Sequence, residues 1–151
     1  MKIIDIKNYV KNQDYKKIYN ADYWNSFLGD DEFCMEFLKS TFSFKRRQHY
    51  LLLINSRDSI EGIVVYEKIP YLRIYKILLL AKRPQSKIKG VGKKFFDFLQ
   101  RRLRKSILIL IDDSGIPDYY RKLGFSFIRD NTLLKKLLGT TTKTCYYKLI
   151  A

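Results

Sequence analysis

At 151 residues the chain is long enough to bury one hydrophobic core, and a single domain spanning 1–151 is expected. Its 46% hydrophobic and 30% charged content excludes a disordered chain, and its longest apolar runs, Leu51–Ile54, Ile77–Ala81 and Ile107–Ile111, are strand-sized and too short for a membrane-spanning helix. Thirty Lys and Arg against fifteen Asp and Glu give a formal net charge of +15, which argues against a dedicated polyamine acceptor, because a polycation requires an acidic cleft. The charge admits two readings: attraction to an anionic macromolecule or to coenzyme phosphates, or a solvated surface in a chain rich in Lys, Ile, Asn and Tyr. Met1–Lys7 lacks the apolar stretch of a signal peptide, and Cys34 with Cys145 implies no disulfide framework, so a cytoplasmic protein is expected. His49 has no partner cluster, so no metal is expected.

In chain order, Ile3–Ile6 reads as a short strand. Tyr15, Ile18 and Tyr19 fall at helical spacing within Lys11–Tyr19. Asp30 and Asp31 suit the start of a second helix that buries Phe33, Phe37 and Leu38 and fades near Phe42–Phe44. Gln48–Asn55 reads as a strand, Ser56–Ser59 as a turn and Ile60–Glu67 as the returning strand of a hairpin. Past Pro70, Tyr71–Ala81 continues the meander. A glycine turn then leads into a helix over Val91–Lys105, followed by a buried strand, Ser106–Ile111. Ser114 is expected to cap a second short helix, with Pro117 in its first turn and Gly124 at its left-handed end. Phe125–Ile128 and Cys145–Ile150 read as the last two strands, with Leu133–Leu138 as a helical insert between them.

Antiparallel strands followed by strand, turn, helix, strand, helix and strand make a mixed α/β sheet with at least one parallel crossover. A ligand would sit at the carboxyl edge of the crossover strands. The strand-to-helix turn there, Pro84–Lys93, is an anion cradle: glycines let backbone approach a ligand, and the first amides of the helix have no helical acceptor. A dinucleotide fingerprint would need glycine at Phe95, and a P-loop would need glycine at Lys87 and Ser or Thr at Lys94.

The residues match a third pattern. Leu80 to Gly92, with Pro84, Gly90 and Gly92 in register, resembles the acyl-CoA motif of the GNAT acetyltransferase superfamily; Lys87 replaces the usual Arg or Gln, keeping a donor but not a planar fork. Downstream, Asp113 to Phe125 resembles the family's Asn-x-x-Ala-x-x-φ-Tyr-x-Lys-x-Gly-Phe helix, with Asp113 for Asn and Ile116 for Ala. Asp58 to Val64 resembles its polar turn and glycine-bearing strand, so the likeness covers roughly residues 48–128 and Tyr146–Leu149.

The resemblance implies a GNAT-type acyl-CoA N-acyltransferase fold, a mixed, mostly antiparallel sheet of six to seven strands flanked by about four helices. It implies acetyl-CoA as co-substrate, its diphosphate facing the amides of Ile88, Gly90, Val91, Gly92 and Lys93, with charge from Lys87 and Lys93. Main chain at Leu80 and Lys82 would face the pantetheine, an amide near Leu80 would polarise the acetyl carbonyl, and Asp113 falls on a position of the coenzyme block. Tyr120 would face the leaving thiolate as its acid; Tyr119 is expected to pack.

The implied activity is transfer of acetyl to a primary amine of unknown identity by direct attack in a ternary complex. The base stays open. Lys76 occupies the strand position where some family members carry glutamate, leaving Glu67, Asp112, Asp113, His49 or water. Tyr23, Trp24 and Phe27 are candidates for an acceptor wall or for core packing. Arg101–Lys105 reads as cations complementing a helix end or as a nucleic-acid patch. The rival to the enzyme is a catalytically degenerate binding module of the same fold for a polyanion such as nucleic acid or the ribosome.

Overall fold

The structure, a computed structural model, describes residues 1–6, 48–57, 59–130, 132–140 and 143–151. The helices expected within Lys11–Tyr19 and from Asp30 to Phe44, the aromatics Tyr23, Trp24 and Phe27, and Asp58 lie outside the described residues. Seven strands, β1 (Lys2–Asp5), β2 (Gln48–Ile54), β3 (Ile60–Lys68), β4 (Ile74–Lys82), β5 (Ser106–Ile111), β6 (Ser126–Phe127) and β7 (Cys145–Ile150), form one sheet in the order β1-β2-β3-β4-β5-β7-β6. Three helices are present among the described residues: α1 (Val91–Arg102), α2 (Tyr119–Lys122) and α3 (Leu133–Leu138). Neighbouring strands joined by tight turns, β2–β3 and β3–β4, must run antiparallel, as β1–β2, β5–β7 and β6–β7 also do, whereas β4–β5 is parallel. The chain forms two compact units, Met1–Val65 with Leu79–Phe95, and Tyr66–Leu78 with Phe96–Ala151.

In the first unit, β1 registers Lys2 to Asp5 against Ile54 to Leu51 of β2. Leu51–Ile54, Ile60, Ile63, Val64 and Val65 are buried, as an apolar strand interior requires. Asn55 builds the turn between β2 and β3: its side-chain oxygen accepts from the amides of Arg57 (2.8 Å) and Ser59 (3.1 Å). The bottom of α1 lies on β3 at Gly62. A Cβ there would stand 2.7 Å from Val91 Cγ1 and 3.1 Å from Phe95 Cε2, so glycine is what lets the helix approach this closely.

In the second unit, the parallel ladder takes in only the first three residues of β4, Ile74–Lys76, against Ile107–Ile109. β7 lies between β5 and β6, pairing Ser106 with Ile150 through Ile111 with Cys145 on one side and Ser126 and Phe127 on the other. Ile74, Ile109, Ile128, Leu138 and Cys145 form a buried cluster that Leu134 and Leu137 of α3 extend. Thr132 accepts from the Lys135 amide and Gly139 ends α3 at φ 69°, so the insert is capped at both ends.

β1, β2 and β3 differ from expectation by a residue at an end, and four other boundaries depart for identifiable reasons. β4 starts at Ile74, not Tyr71, because Ile69–Leu72 closes a turn with Pro70 second and Tyr71 at φ 62°, and the Ile69 amide donates to Ile74 O at 2.9 Å. α1 stops at Arg102 rather than Lys105, which sits at φ 57° and reverses the chain. α2 starts at Tyr119: Ser114 does not cap it, because the Ser114 amide and hydroxyl both donate to Asp112 Oδ1, at 2.9 and 2.6 Å. β6 has two residues, since the Phe125 amide is committed to α2.

Candidate functional site

The glycine turn belongs to the first unit. Its entry is a tight turn in which Pro84 follows Arg83 and the Ser86 amide donates to Arg83 O at 2.9 Å. Gly90 has φ +68°, and no atom lies within 4 Å of the place a Cβ would take, so backbone conformation demands the glycine and the space beside it is open. The Lys94 amide donates to Gly90 O at 3.0 Å and opens the helical ladder. The amides of Val91 and Gly92 precede that bond and have no helical carbonyl to meet. No acidic residue stands in the first turn of α1, so the positive end of its dipole is left for an anion. Lys87 and Lys93 are exposed beside it. The Ile88 amide, expected among the phosphate donors, is directed instead to Ser86 Oγ at 3.2 Å.

A buried polar group that the sequence reading missed underlies this turn. Glu61, only 4% exposed, accepts at Oε1 from Asn55 Nδ2 and from Arg83 Nη2, both at 2.7 Å, and its main-chain oxygen accepts from the Arg83 amide at 3.0 Å. Burial pushes the Glu61 carboxyl up, but the nearby Ser86 hydroxyl, the Asn55 and Arg83 bonds and the Arg83 charge outweigh it and hold the group below the usual carboxylate range. The available signal was one acid inside the apolar run Ile60–Tyr66, every residue of which is buried.

In the second unit, Tyr120 is set by the way α2 ends. The Gly124 amide donates to Arg121 O at 3.0 Å and the Phe125 amide to Tyr120 O at 3.0 Å, with Gly124 at φ +86°. These are the two bonds of a Schellman cap, and its usual hydrophobic contact is here Phe125 against Tyr120, ring centroids 5.8 Å apart. Lys148 Nζ adds a 2.7 Å bond to Leu123 O. Phe96 and Tyr146 complete the aromatic surround at 6.3 and 5.7 Å. Burial first, then Tyr119, Asp112 and Asp113, pushes the Tyr120 phenol well above the usual tyrosine range, so it holds its proton at neutral pH.

No family model matches the chain, and no curated protein does. Solved structures do match along nearly its whole length. An acetyltransferase of the GNAT family from Staphylococcus aureus superposes with a TM-score of 0.68 at 16% identity, covering 99% of each chain. The aminoglycoside 6'-N-acetyltransferase from Enterococcus faecium gives 0.64 at 13% identity over 100% of this chain and 98% of that one. An aminoglycoside 6'-N-acetyltransferase complexed with coenzyme A gives 0.62 at 12% identity over the same shares. The chain has the GNAT fold.

The remaining candidates occupy varied places on the GNAT fold. Leu80 is half-buried near the end of β4, and Lys82 is its exposed last residue. Asp113 is exposed and pairs with Lys143 at 3.0 Å, while Asp112 holds Ser114. Glu67, His49 and Lys76 are half-buried on β3, β2 and β4.

Proposed function

We propose that this chain is an acetyl-CoA-dependent N-acetyltransferase acting on a primary amine by direct attack in a ternary complex. The observation that carries the reading is the glycine turn on a GNAT fold: an open space beside Gly90, followed by the amides of Val91 and Gly92 at an uncompensated helix start. The named 6'-N-acetyltransferases of like fold, one of them complexed with coenzyme A, support a coenzyme A thioester as donor and an amine as acceptor.

In the proposed reaction the neutral amine nitrogen attacks the thioester carbonyl carbon. A carbon–nitrogen bond forms, the carbon–sulfur bond breaks, and its electron pair leaves on sulfur. Tyr120 gives its phenolic proton to that sulfur and regains one from solvent. The attacking nitrogen loses its extra proton to water or to Glu67 or Asp113, and the products are the N-acetyl amide and the free coenzyme thiol. A main-chain amide near Leu80 would stabilise the developing oxyanion. Lys82, Lys87 and Lys93 would contribute to coenzyme binding.

Calorimetric titration with acetyl-CoA tests the reading. Saturable binding, and thiol release on adding an amine panel, are expected; absence of binding at high micromolar concentration sinks it. A second reading, a polyanion-binding module without activity, is favoured by Lys76 in the place of a strand glutamate, by Asp113 already paired with Lys143 and by the +15 charge. It predicts salt-dependent retention on nucleic acid and no acetyl transfer.

A further inference from the structure

Glu61 is a buried carboxylate on a strand whose neighbours Ile60 and Ile63–Tyr66 are all buried and apolar. Stability alone does not account for it, because replacing a buried ion pair with well-packed apolar groups is often neutral or favourable. What the carboxylate does is fix geometry. Through Oε1 it holds Asn55, which forms the β2–β3 turn, and Arg83, which enters the glycine turn; its peptide oxygen holds the Arg83 amide as well. Ser86, buried beside the carboxylate, bonds back to Arg83 O and orients the Ile88 amide. The next residue, Gly62, seats the far end of the same segment by admitting Val91 and Phe95. Adjacent strand residues point to opposite faces, so β3 grips the segment from Arg83 to Val91 at both ends: by a side chain at its entry and by the lack of one at its exit.

We propose that Glu61 is the positioning residue of the diphosphate turn, acting through Arg83 and Ser86 to hold residues 86–92 in the conformation that binds the coenzyme. The inference rests on the acetyl-CoA reading for its ligand but not for its geometry. Coenzyme affinity therefore depends on a residue that does not itself touch the coenzyme. The dependence is confined to the diphosphate end, because the network bears on the turn.

Glu61→Gln keeps the volume and an acceptor oxygen but removes the charge that strengthens the Arg83 and Asn55 bonds. Three measurements on the full chain decide: amide hydrogen exchange, the Kd of coenzyme A, and the Kd of S-acetyl-pantetheine, which lacks the diphosphate. In Glu61→Gln the amides of residues 86–92 are expected to exchange about tenfold faster, coenzyme A to bind about tenfold more weakly, and S-acetyl-pantetheine to bind within about twofold of wild type. Glu61→Ala should show the same pattern more strongly; if it fails to fold, Glu61→Gln still decides. Unchanged exchange over residues 86–92 overturns the proposal, and so does an equal loss for both ligands, which marks a merely structural residue. If wild type binds no coenzyme A, the acetyltransferase reading fails, and the exchange measurement alone upholds or overturns the positioning role.

Discussion

Replacing Gly62 with alanine pushes a methyl group against the first turns of α1. The new Cβ stands 2.7 Å from Val91 Cγ1, 3.1 Å from Phe95 Cε2 and 3.2 Å from Ala81 O. The first distance forces something to move. The third is to backbone, so the helix rather than the strand gives way. Overpacking of this kind costs about 1–3 kcal/mol. Against it, Gly62 is not among the positive-φ glycines, so alanine also restricts the unfolded chain, a gain of about 0.4–1 kcal/mol. The net is a loss of about 1–2 kcal/mol, or roughly 2–8 °C in Tm for a chain of this size. Urea unfolding of Gly62→Ala, Val91→Ala and the double variant measures it. If the clash with Cγ1 is the cause, the double variant is more stable than the sum of the singles predicts by about 1 kcal/mol. A Gly62→Ala protein as stable as wild type, or additivity within about 0.5 kcal/mol, refutes the close approach.

Tyr120→Phe keeps the ring within the Phe96, Phe125 and Tyr146 surround and removes only the hydroxyl that would donate the proton, so kcat should fall about 100-fold or more with coenzyme Kd nearly unchanged in a thiol-release assay. Gly124→Ala holds a non-glycine residue at φ +86°, with only the end of the Lys148 side chain near its Cβ; a stability loss of about 1 kcal/mol is expected by chemical unfolding, with kcat falling more than coenzyme affinity because the cap sets Tyr120. The Glu61 carboxyl is held below its unfolded value of 4.5, so its ion pair adds stability fully present above that pH and lost as pH falls through the lower folded value; acid unfolding of Glu61→Gln should lack that component.

Strands were legible where short apolar or β-branched runs are bounded by turn residues. Ser106–Ile111 and Cys145–Ile150 have the expected bounds, and Gln48–Ile54 ends one residue early, because Asn55 turns its side chain to the hairpin. The failures come from residues whose ordinary signal was outcompeted. Ser114 is a good cap in isolation, but Asp112 two residues earlier takes both of its donors. Tyr71 and Lys105 take left-handed conformations that favour glycine, and neither residue type announces them. A lone acid in a strand such as Glu61 carries no local mark of burial until Arg83, 22 residues away, is brought against it.

The proposed acid and the unassigned base differ in legibility for a physical reason. Tyr120 is placed by backbone: a four-residue helix stopped by a left-handed glycine and fastened through Phe125 needs those residue types at that spacing, and the requirement is written in Tyr120, Gly124 and Phe125. A base is placed by side-chain reach. Any carboxylate, imidazole or ordered water at hydrogen-bond distance serves, from whichever segment lines the acceptor, so no spacing encodes it. The glycine turn proposed for the coenzyme sits on the legible side of this divide, since Gly90 answers a backbone demand at φ +68°. Its support by Glu61 sits on the other, because an ion pair across 22 residues leaves no local pattern. On this chain, turns and caps set by main-chain geometry could be read from sequence, and side chains meeting across the fold needed the structure.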